Sequence, residues 1–501
     1  MQLASAKLAI DDASAPSLPD RIDAYLDRVA AERGVEPAPA VADGRFLRRL
    51  SLDLAGAIPR YADMRSFVES DDAEKRPQAI ARLLASPRHA THLATVWRDL
   101  LIPAERGDFE QRLNAVGLHN WLRDRFARNV RYDNVVYDLL VATDAGELGP
   151  ASYFSAHELK PERLASNSAR LMLGVSLDCA QCHDHPFADW KQTDFWGYAA
   201  FFARVRAEDD MMMQRGAVSR LIDADRGEVR LPGDESGDPI PPRPLLGEAL
   251  EDVPFETRRE QLALWIAERD NPFVARAAVN AVWTRLFGRG LVEEINAAGA
   301  HYPAAYAPLL DEIAAEFVAS GFDLRELHGW IVSTHAYERA AAESASSRQA
   351  QAFVAMAPRR LAAEQLYDSL ARLAPVSATD DPFQGNPARD AFVRRMRAGD
   401  ADQLAFTGST LQSLVMLNGD AVQNATNAPR GGLVAALAAP FLSDTDRVNA
   451  ITLALLGREA TTAENAEMSG FLQGATDGER PQLIADIVWA MANSTEMAFN
   501  H

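Results

Sequence analysis

The chain has only two cysteines, and they lie three residues apart with a histidine directly after them. They belong to the run Cys179-Ala180-Gln181-Cys182-His183. Cys-x-x-Cys-His is the attachment signature of c-type haem. Two thiols about one helical turn apart can add to the two vinyl groups of one porphyrin, and the adjacent imidazole can then supply the proximal iron ligand. The spacing therefore predicts covalent haem c on Cys179 and Cys182, with His183 as the proximal ligand.

Two other kinds of site could use the same residues. A redox dithiol of the thioredoxin type lies between a strand and a helix, whereas here a predicted helix precedes the motif and no βαβ pattern surrounds it. A zinc site, or a purely structural one, would use both cysteines with His183 or His185 and a fourth ligand from elsewhere in the chain. A disulfide framework is excluded by the cysteine count.

The residues that follow the motif could shape the surroundings of the iron. Asp184 or His185 could tune the haem without ligating the iron, by contacting a propionate or by carrying a proton. Trp190 and the aromatic residues up to Arg206 could wall the porphyrin. Their spacing fits equally well a helix that is packed in an ordinary core.

A sixth iron ligand could come from either side of the motif. Downstream, Met211, Met212 and Met213 offer thioethers, and upstream His157 offers an imidazole. Both ligand types occur opposite a proximal histidine in cytochromes. The iron could also keep an open sixth position, which would suit an enzyme better than an electron carrier.

Apolar residues recur at helical spacing through most of the chain. In the first half they predict helices over 20–33, 43–55, 72–85, 88–101, 118–128, 131–143 and 161–177, the last of which leads directly into the motif. In the second half they predict helices over 257–268, 272–287, 306–320, 323–338, 358–373, 445–457, 462–474 and 481–492. The polar stretch 376–402 is predicted to be an exposed loop.

Composition changes at residues 207–254, which are rich in proline and glycine. Within them, two β-friendly runs around a turn predict a hairpin at 217–232. The sequence therefore predicts a mainly α fold, with two helical domains at 20–206 and 255–501 joined by this connector. Residues 1–19 are predicted to be a flexible leader.

The charge balance excludes some classes of partner. Acidic residues outnumber basic ones by 71 to 51, which gives a net charge of −20. Such a chain is poorly suited to bind nucleic acid or an anionic membrane surface. No stretch approaches the roughly 20 apolar residues that span a bilayer. The first residues, MQLASAKLAIDDASAPSLPD, lack the apolar segment of a signal peptide. Either the protein is cytoplasmic, or its export signal lies outside this sequence.

The surroundings of the motif resemble the planctomycete-type cytochrome-like family known as domain of unknown function 1549. The resemblance lies in 173–175, the run 179–187, and then Trp190, Gln192 and Asp194; segments 46–50 and 52–59 are similar to the opening of that family. The second half resembles its usual companion, domain of unknown function 1553. The residues that carry this second resemblance are 271–276, Asn280, Trp283, 286–291, 321–324, 358–361, 417–419, 493–494 and 499–501.

The resemblance covers about residues 20–501 and implies more than the spacing does. Proteins of this kind are mostly helical, periplasmic or secreted, and often encoded beside another uncharacterised exported family, domain of unknown function 1501. The resemblance also implies haem c on Cys179, Cys182 and His183. Larger relatives carry a further N-terminal Cys-x-x-Cys-His module, which this chain lacks, so wiring between several haems is not expected. The Asn-Arg-Val-Trp of the family is Asn280-Ala281-Val282-Trp283 here.

These observations predict an exported mono-haem c-type cytochrome-like protein that passes single electrons to an exported redox partner. The alternatives are a peroxidase-like haem oxidoreductase with an open distal site, and a non-catalytic binding or assembly protein with a Cys/His metal site. Since a mono-haem carrier can be small, residues 255–501 are expected to serve another purpose, such as binding the partner. The acidic surface favours a basic partner.

Overall fold

The computed structural model describes residues 16–102, 109–143, 149–186, 188–208, 220–234, 236–253, 256–292, 305–374, 386–397, 410–426 and 432–501. Helices dominate these ranges, and the strands within them form two small antiparallel two-stranded sheets. The predicted mainly α fold is confirmed. Among the described residues, no helix combines the length and the apolar character that crossing a membrane requires.

The helices of the first half precede or flank the cysteine motif. They are α1 (Leu18–Glu32), α2 (Asp43–Ala55), α3 (Tyr61–Glu69), α4 (Lys75–Leu84), α5 (Pro87–Leu101), α6 (Phe109–Ala127), α7 (Tyr132–Leu140), α8 (Ala151–Ala156), α9 (Pro161–Ser168) and α10 (Gln192–Ala199). Their ends follow local rules. Ser17, for example, caps α1 by accepting a hydrogen bond from the backbone N–H of Asp20, and Gly56 ends α2 with a φ of 73°.

The second half is also a succession of helices. They are α11 (Arg258–Ala267), α12 (Val274–Phe287), α13 (Ala307–Ala319), α14 (Leu324–Val332), α15 (His335–Glu338), α16 (Arg348–Gln351), α17 (Ala363–Leu373), α18 (Pro387–Arg397), α19 (Thr410–Asn418), α20 (Asp420–Thr426), α21 (Gly432–Leu437), α22 (Asp444–Leu456), α23 (Thr462–Leu472) and α24 (Arg480–Ala492). Helix α18 corrects the prediction of a loop over 376–402 at 387–397, whereas 376–385 and 398–402 lie outside the described residues. The helix forms because Phe392 and Met396, one turn apart, are both buried.

The connector holds a short strand, but not the predicted hairpin. Strand β2 (Leu221–Asp223) pairs antiparallel with β1 (Val205–Ala207), which lies before the connector rather than within 217–232. Val229, which was expected in the return strand, makes a single bridge with Ile240 instead. A second pair, β3 (Arg359–Arg360) with β4 (Phe499–Asn500), joins the middle of the chain to its end. Local periodicity could not reveal this long-range pair.

The apolar core divides at a different place from the predicted domains. One cluster of buried residues runs from Leu18 to Met356 and so includes both sides of the connector. A second cluster comprises residues 361–497 together with Leu52 and Ile58. Helix α2 contributes to both clusters, and from Gly44 to Ile58 every residue except Arg45 is buried. The membership of the two clusters therefore changes near residues 357–360, and the predicted domain bounds at 206 and 255 stay a prediction.

Charged residues on α11 also join the two sides of the connector. Arg259 is fully buried and donates to the carbonyl oxygens of Leu140 and Ala142, at 2.9 and 2.8 Å, and pairs with Asp223. Its neighbour Arg258 pairs with Glu228 at 3.0 Å. These contacts mean that residues 256–356 pack as part of the same body as the first half.

Candidate functional site

The chain enters the cysteine motif from an irregular helix end. Helix α9 continues as a π-helical turn over Ala169–Leu173 and stops at Gly174, whose φ is 68°. The helix predicted over 161–177 is therefore shorter than expected, because Gly174 adopts a left-handed conformation that terminates helices. Buried Val175 and Leu177 then fix the backbone before the motif. Turns of the π type are frequently found at functional sites.

Both cysteines lie on one short 3₁₀ turn, Asp178–Gln181, with Cys182 as the residue that ends it. Both are exposed and neither is in a disulfide. Ala180, between them, is fully buried and holds the turn against the core. In 3₁₀ geometry the side chains at positions i and i+3 eclipse one another. The turn therefore places Cys179 and Cys182 on the same side, and both are exposed.

The next residue, His183, is also exposed. Its Nδ1 lies 2.8 Å from the backbone carbonyl oxygen of Asp184. Since a carbonyl can only accept, Nδ1 must carry the proton, and in the neutral ring Nε2 then has a lone pair. A histidine that ligates a metal commonly has its other ring nitrogen bonded in this way.

Asp184 and His185 close the loop that follows. The Asp184 carboxylate accepts a hydrogen bond from the backbone N–H of Gln192 at 2.8 Å. The backbone N–H of His185 donates to the Trp190 carbonyl at 2.8 Å, and its Nδ1 accepts from the Ala188 N–H at 3.0 Å. Both residues thus shape the backbone around the motif. The tuning role predicted for them stays a prediction.

The aromatic segment after the motif is mostly core. Trp190 is buried, and the four residues Phe195, Tyr198, Phe201 and Phe202 are completely so. Trp196 differs, because it is half-buried and its indole reaches the cysteine turn. The spacing allowed either a wall of the porphyrin or an ordinary packed core. These four buried rings pack in the core.

Of the predicted sixth ligands, the structure describes His157. Met211, Met212 and Met213 lie outside the described residues. His157 is buried, its Nε2 donates to the Leu101 carbonyl at 3.1 Å, and burial lowers its pKa to about 4. The ring is held edge-on against Tyr153, with the centroids 5.0 Å apart. It is thus fixed in the interior, whereas the motif is exposed.

The chemistry of the motif fits covalent haem. Haem c requires two free thiols on one face and an imidazole nitrogen with a lone pair, and Cys179, Cys182 and His183 provide these three groups. For the zinc alternative, the described part of the chain contains no group of three or more His, Cys, Asp or Glu side chains arranged to hold a metal ion.

A small polar cavity lies away from the motif in the sequence. Gly56, His92, Glu364 and Arg389 are among the residues that line it. The space open to the centre of a water molecule is about 20 Å³, which is room for one or two waters. The cavity is therefore a site for solvent rather than for a substrate.

Two residues make contacts with the motif that were not predicted from the sequence: Gln192, and Trp196, which was predicted only as part of the aromatic wall. The side chains of Gln192 and Trp196 donate hydrogen bonds to the backbone of the cysteine turn. Their positions four residues apart and shortly after the motif were a usable signal. Their acceptors are backbone carbonyls, however, which any residue supplies.

The fold and the site define a mainly helical protein with one exposed Cys-x-x-Cys-His turn. Residues 21–207 match the family model described as PSCyt2, protein of unknown function (DUF1549). Residues 258–396 match the model described as PSD1, protein of unknown function (DUF1553). The two halves of the chain thus match the two families that they resemble in sequence, and the predicted resemblance is confirmed. No curated protein and no solved structure matches it.

Proposed function

We propose that this chain is an exported mono-haem c-type cytochrome-like protein that passes single electrons to a partner protein. The observation that carries the proposal is the pair of free, exposed thiols on one turn, directly followed by a histidine whose Nδ1 is already bonded. Free thiols on one face and an available imidazole nitrogen are what covalent haem needs. Export is proposed from the family resemblance alone.

Each residue of the motif has a defined task in this proposal. Cys179 and Cys182 would hold the haem by thioether bonds, and Nε2 of His183 would ligate its iron, which supplies one-electron chemistry when bound. The carbonyl of Asp184 keeps the proton of His183 on Nδ1, so that Nε2 can ligate. Buried Ala180 anchors the turn.

The exposure of the motif favours electron transfer over catalysis in an enclosed pocket. Cys179, Cys182 and His183 are all at the surface, so a partner protein can approach them directly. The net charge of −20 favours a basic partner, with association that weakens as salt screens the charges. We propose residues 255–501 as the main partner surface. Because residues 256–356 share a core with the first half, surface substitutions test this better than truncation does.

Haem attachment is the central prediction. Expressed with a leader peptide in a host that has the haem-maturation system, the protein should gain the mass of one haem. Its colour should survive acid–acetone extraction and denaturing electrophoresis, because thioether bonds are covalent. The double variant Cys179→Ser/Cys182→Ser should remain folded, since both side chains are exposed, and should carry no covalent haem.

Intact mass and the visible spectrum check this prediction. Serine is close to cysteine in size, so the double variant should fold. Circular dichroism of the double variant checks this. A colourless wild-type protein with one zinc per chain, purified from the maturation-competent host, would contradict the proposal.

A further inference from the structure

Side chains from helix α10 bind the end of the cysteine turn. The amide of Gln192 donates to the carbonyl oxygens of Gln181, at 3.2 Å, and of Cys182, at 3.0 Å. The indole N–H of Trp196 donates to the same Gln181 carbonyl at 3.1 Å. Carbonyl groups at the end of a short helix have no partner inside it. These bonds therefore satisfy groups that the turn itself leaves open.

The turn's own closing hydrogen bonds are long. The backbone N–H groups of Cys182 and His183 both donate to the Cys179 carbonyl, each at 3.4 Å. Bonds between backbone groups are usually 2.7–3.2 Å, so these two are weak. The conformation that places both thiols on one face thus depends on the bonds from Gln192 and Trp196.

Helix α10 is a firm base for this contact. Gln192 and Trp196 are four residues apart and lie on one side of the helix. The backbone N–H of Gln192 is bonded to Asp184 at 2.8 Å. On the core side of the same helix, Phe195 and Tyr198 are fully buried. Movement of the cysteine turn relative to the core is therefore restricted by these two side chains.

We infer that Gln192 and Trp196 are positioning residues that hold Cys179 and Cys182 side by side in the protein before any haem is attached. The purpose of this arrangement, ready attachment of haem, rests on the proposed function. The arrangement itself is a property of the reduced protein and can be measured without haem. The two thiols should therefore have a high effective concentration toward each other.

The test uses the full-length, haem-free protein in glutathione buffers. At equilibrium, Cys179 and Cys182 lose two electrons and two protons to form a disulfide, and one oxidised glutathione becomes two reduced molecules. Gln192→Met retains length but has no donor, and Trp196→Phe retains a ring but has no N–H. Each variant should lower the effective concentration of the thiol pair about three- to tenfold, since it removes one or two hydrogen bonds.

Two matched controls are available elsewhere in the chain. Gln482, which is exposed where Gln192 is half-buried, is also a helical glutamine whose amide donates to a neighbour, Asp486, at 2.9 Å. The indole of Trp489 donates to the Leu417 carbonyl at 3.1 Å, the same length as in Trp196. Gln482→Met and Trp489→Phe should leave the thiol equilibrium unchanged. Circular dichroism on all four variants checks that they fold.

The outcomes separate this inference from the proposed function. If Gln192→Met and Trp196→Phe match their controls in the thiol equilibrium, the inference is wrong, whether or not haem is attached. If the two variants lower the effective concentration of the thiol pair while the wild type acquires no haem in the maturation host, the positioning role stands and the haem proposal fails. If Gln192→Met does not fold, Trp196→Phe, which loses a single hydrogen bond, decides the matter.

Discussion

Replacing Asp53 with Asn should lower the free energy of unfolding by about 3–5 kcal/mol, the usual cost of breaking a buried ion pair. The Asp53 carboxylate accepts from the Tyr337 hydroxyl at 2.7 Å, from Arg359 at 3.0 and 2.8 Å, and from the Asn500 amide at 2.9 Å. Both charged partners are buried or nearly so. In the variant, the Arg359 guanidinium would be left without a countercharge in the interior.

Chemical denaturation of the variant and the wild type measures this loss. Asp311→Asn is the matched control, because Asp311 forms an exposed ion pair with Arg276 at 2.7 Å and such pairs contribute only about 0–1 kcal/mol. The prediction fails if both variants unfold at the same denaturant concentration. It succeeds if only Asp53→Asn shifts the midpoint strongly.

The Asp53 network also explains why distant sequence segments carry the family resemblance. Asp53 lies in segment 52–59, Arg359 in 358–361 and Asn500 in 499–501, and the structure brings the three together. In addition, Arg49 donates to the carbonyl oxygen of His501 at 2.9 Å. The sequence allowed these segments to be recognised one by one. It could not predict their meeting, because a contact across about 300 residues leaves no local periodic pattern.

Most helices were predictable for the opposite reason. A helix such as α22 (Asp444–Leu456) is encoded by its own apolar spacing and by Ser443, which caps its first turn. Helix α18 was missed because Pro387 and the many charged residues of 387–397 suggested a loop. Only its two buried apolar side chains, Phe392 and Met396, indicate a helix, and both belong to the second core cluster.

At the candidate site, the residue types were predictable and their surroundings were not. Cys179, Cys182 and His183 follow from the motif alone. Whether aromatic residues such as Phe195 line a ligand or a core cannot be decided from spacing, because both uses require the same apolar face. The role of Gln192 was also hidden, since its acceptors are the backbone carbonyls of Gln181 and Cys182.

The protein should lose stability steeply as the pH falls from 7.5 to 5, because several of its histidines are buried. Burial lowers the pKa of His89 to about 3, helped by the nearby His328, and lowers that of His119 to about 3. The pKa values of His92 and His328 are lowered too, again mainly by burial. In the folded protein these rings are neutral between pH 5 and 7.5, because burial disfavours their charged form.

The sign of the effect follows from proton binding. Below pH 6.5 the unfolded chain protonates these histidines while the folded protein does not, so the unfolded state binds more protons and is favoured as pH falls. Each such histidine costs about 1.4 kcal/mol per pH unit well below 6.5. His89 and His119 alone should therefore remove about 4 kcal/mol between pH 7.5 and pH 5. Carboxylates contribute little in this window, because their ordinary pKa values are 3.8 and 4.5.

Unfolding free energies measured in urea at several pH values between 5 and 7.5 test this expectation. His89→Gln removes one buried titrating ring, whose Nδ1 is 2.9 Å from the Leu54 carbonyl and whose Nε2 has no hydrogen-bond partner. The slope of stability against pH is proportional to the number of protons that the chain takes up on unfolding. In this variant that number should decrease by about one. Gln482→Met is the control, since it removes an exposed side chain that does not titrate, and its slope should equal that of the wild type. A wild-type stability that stays constant from pH 7.5 to 5 would show that the buried rings do not govern the acid limit of the fold.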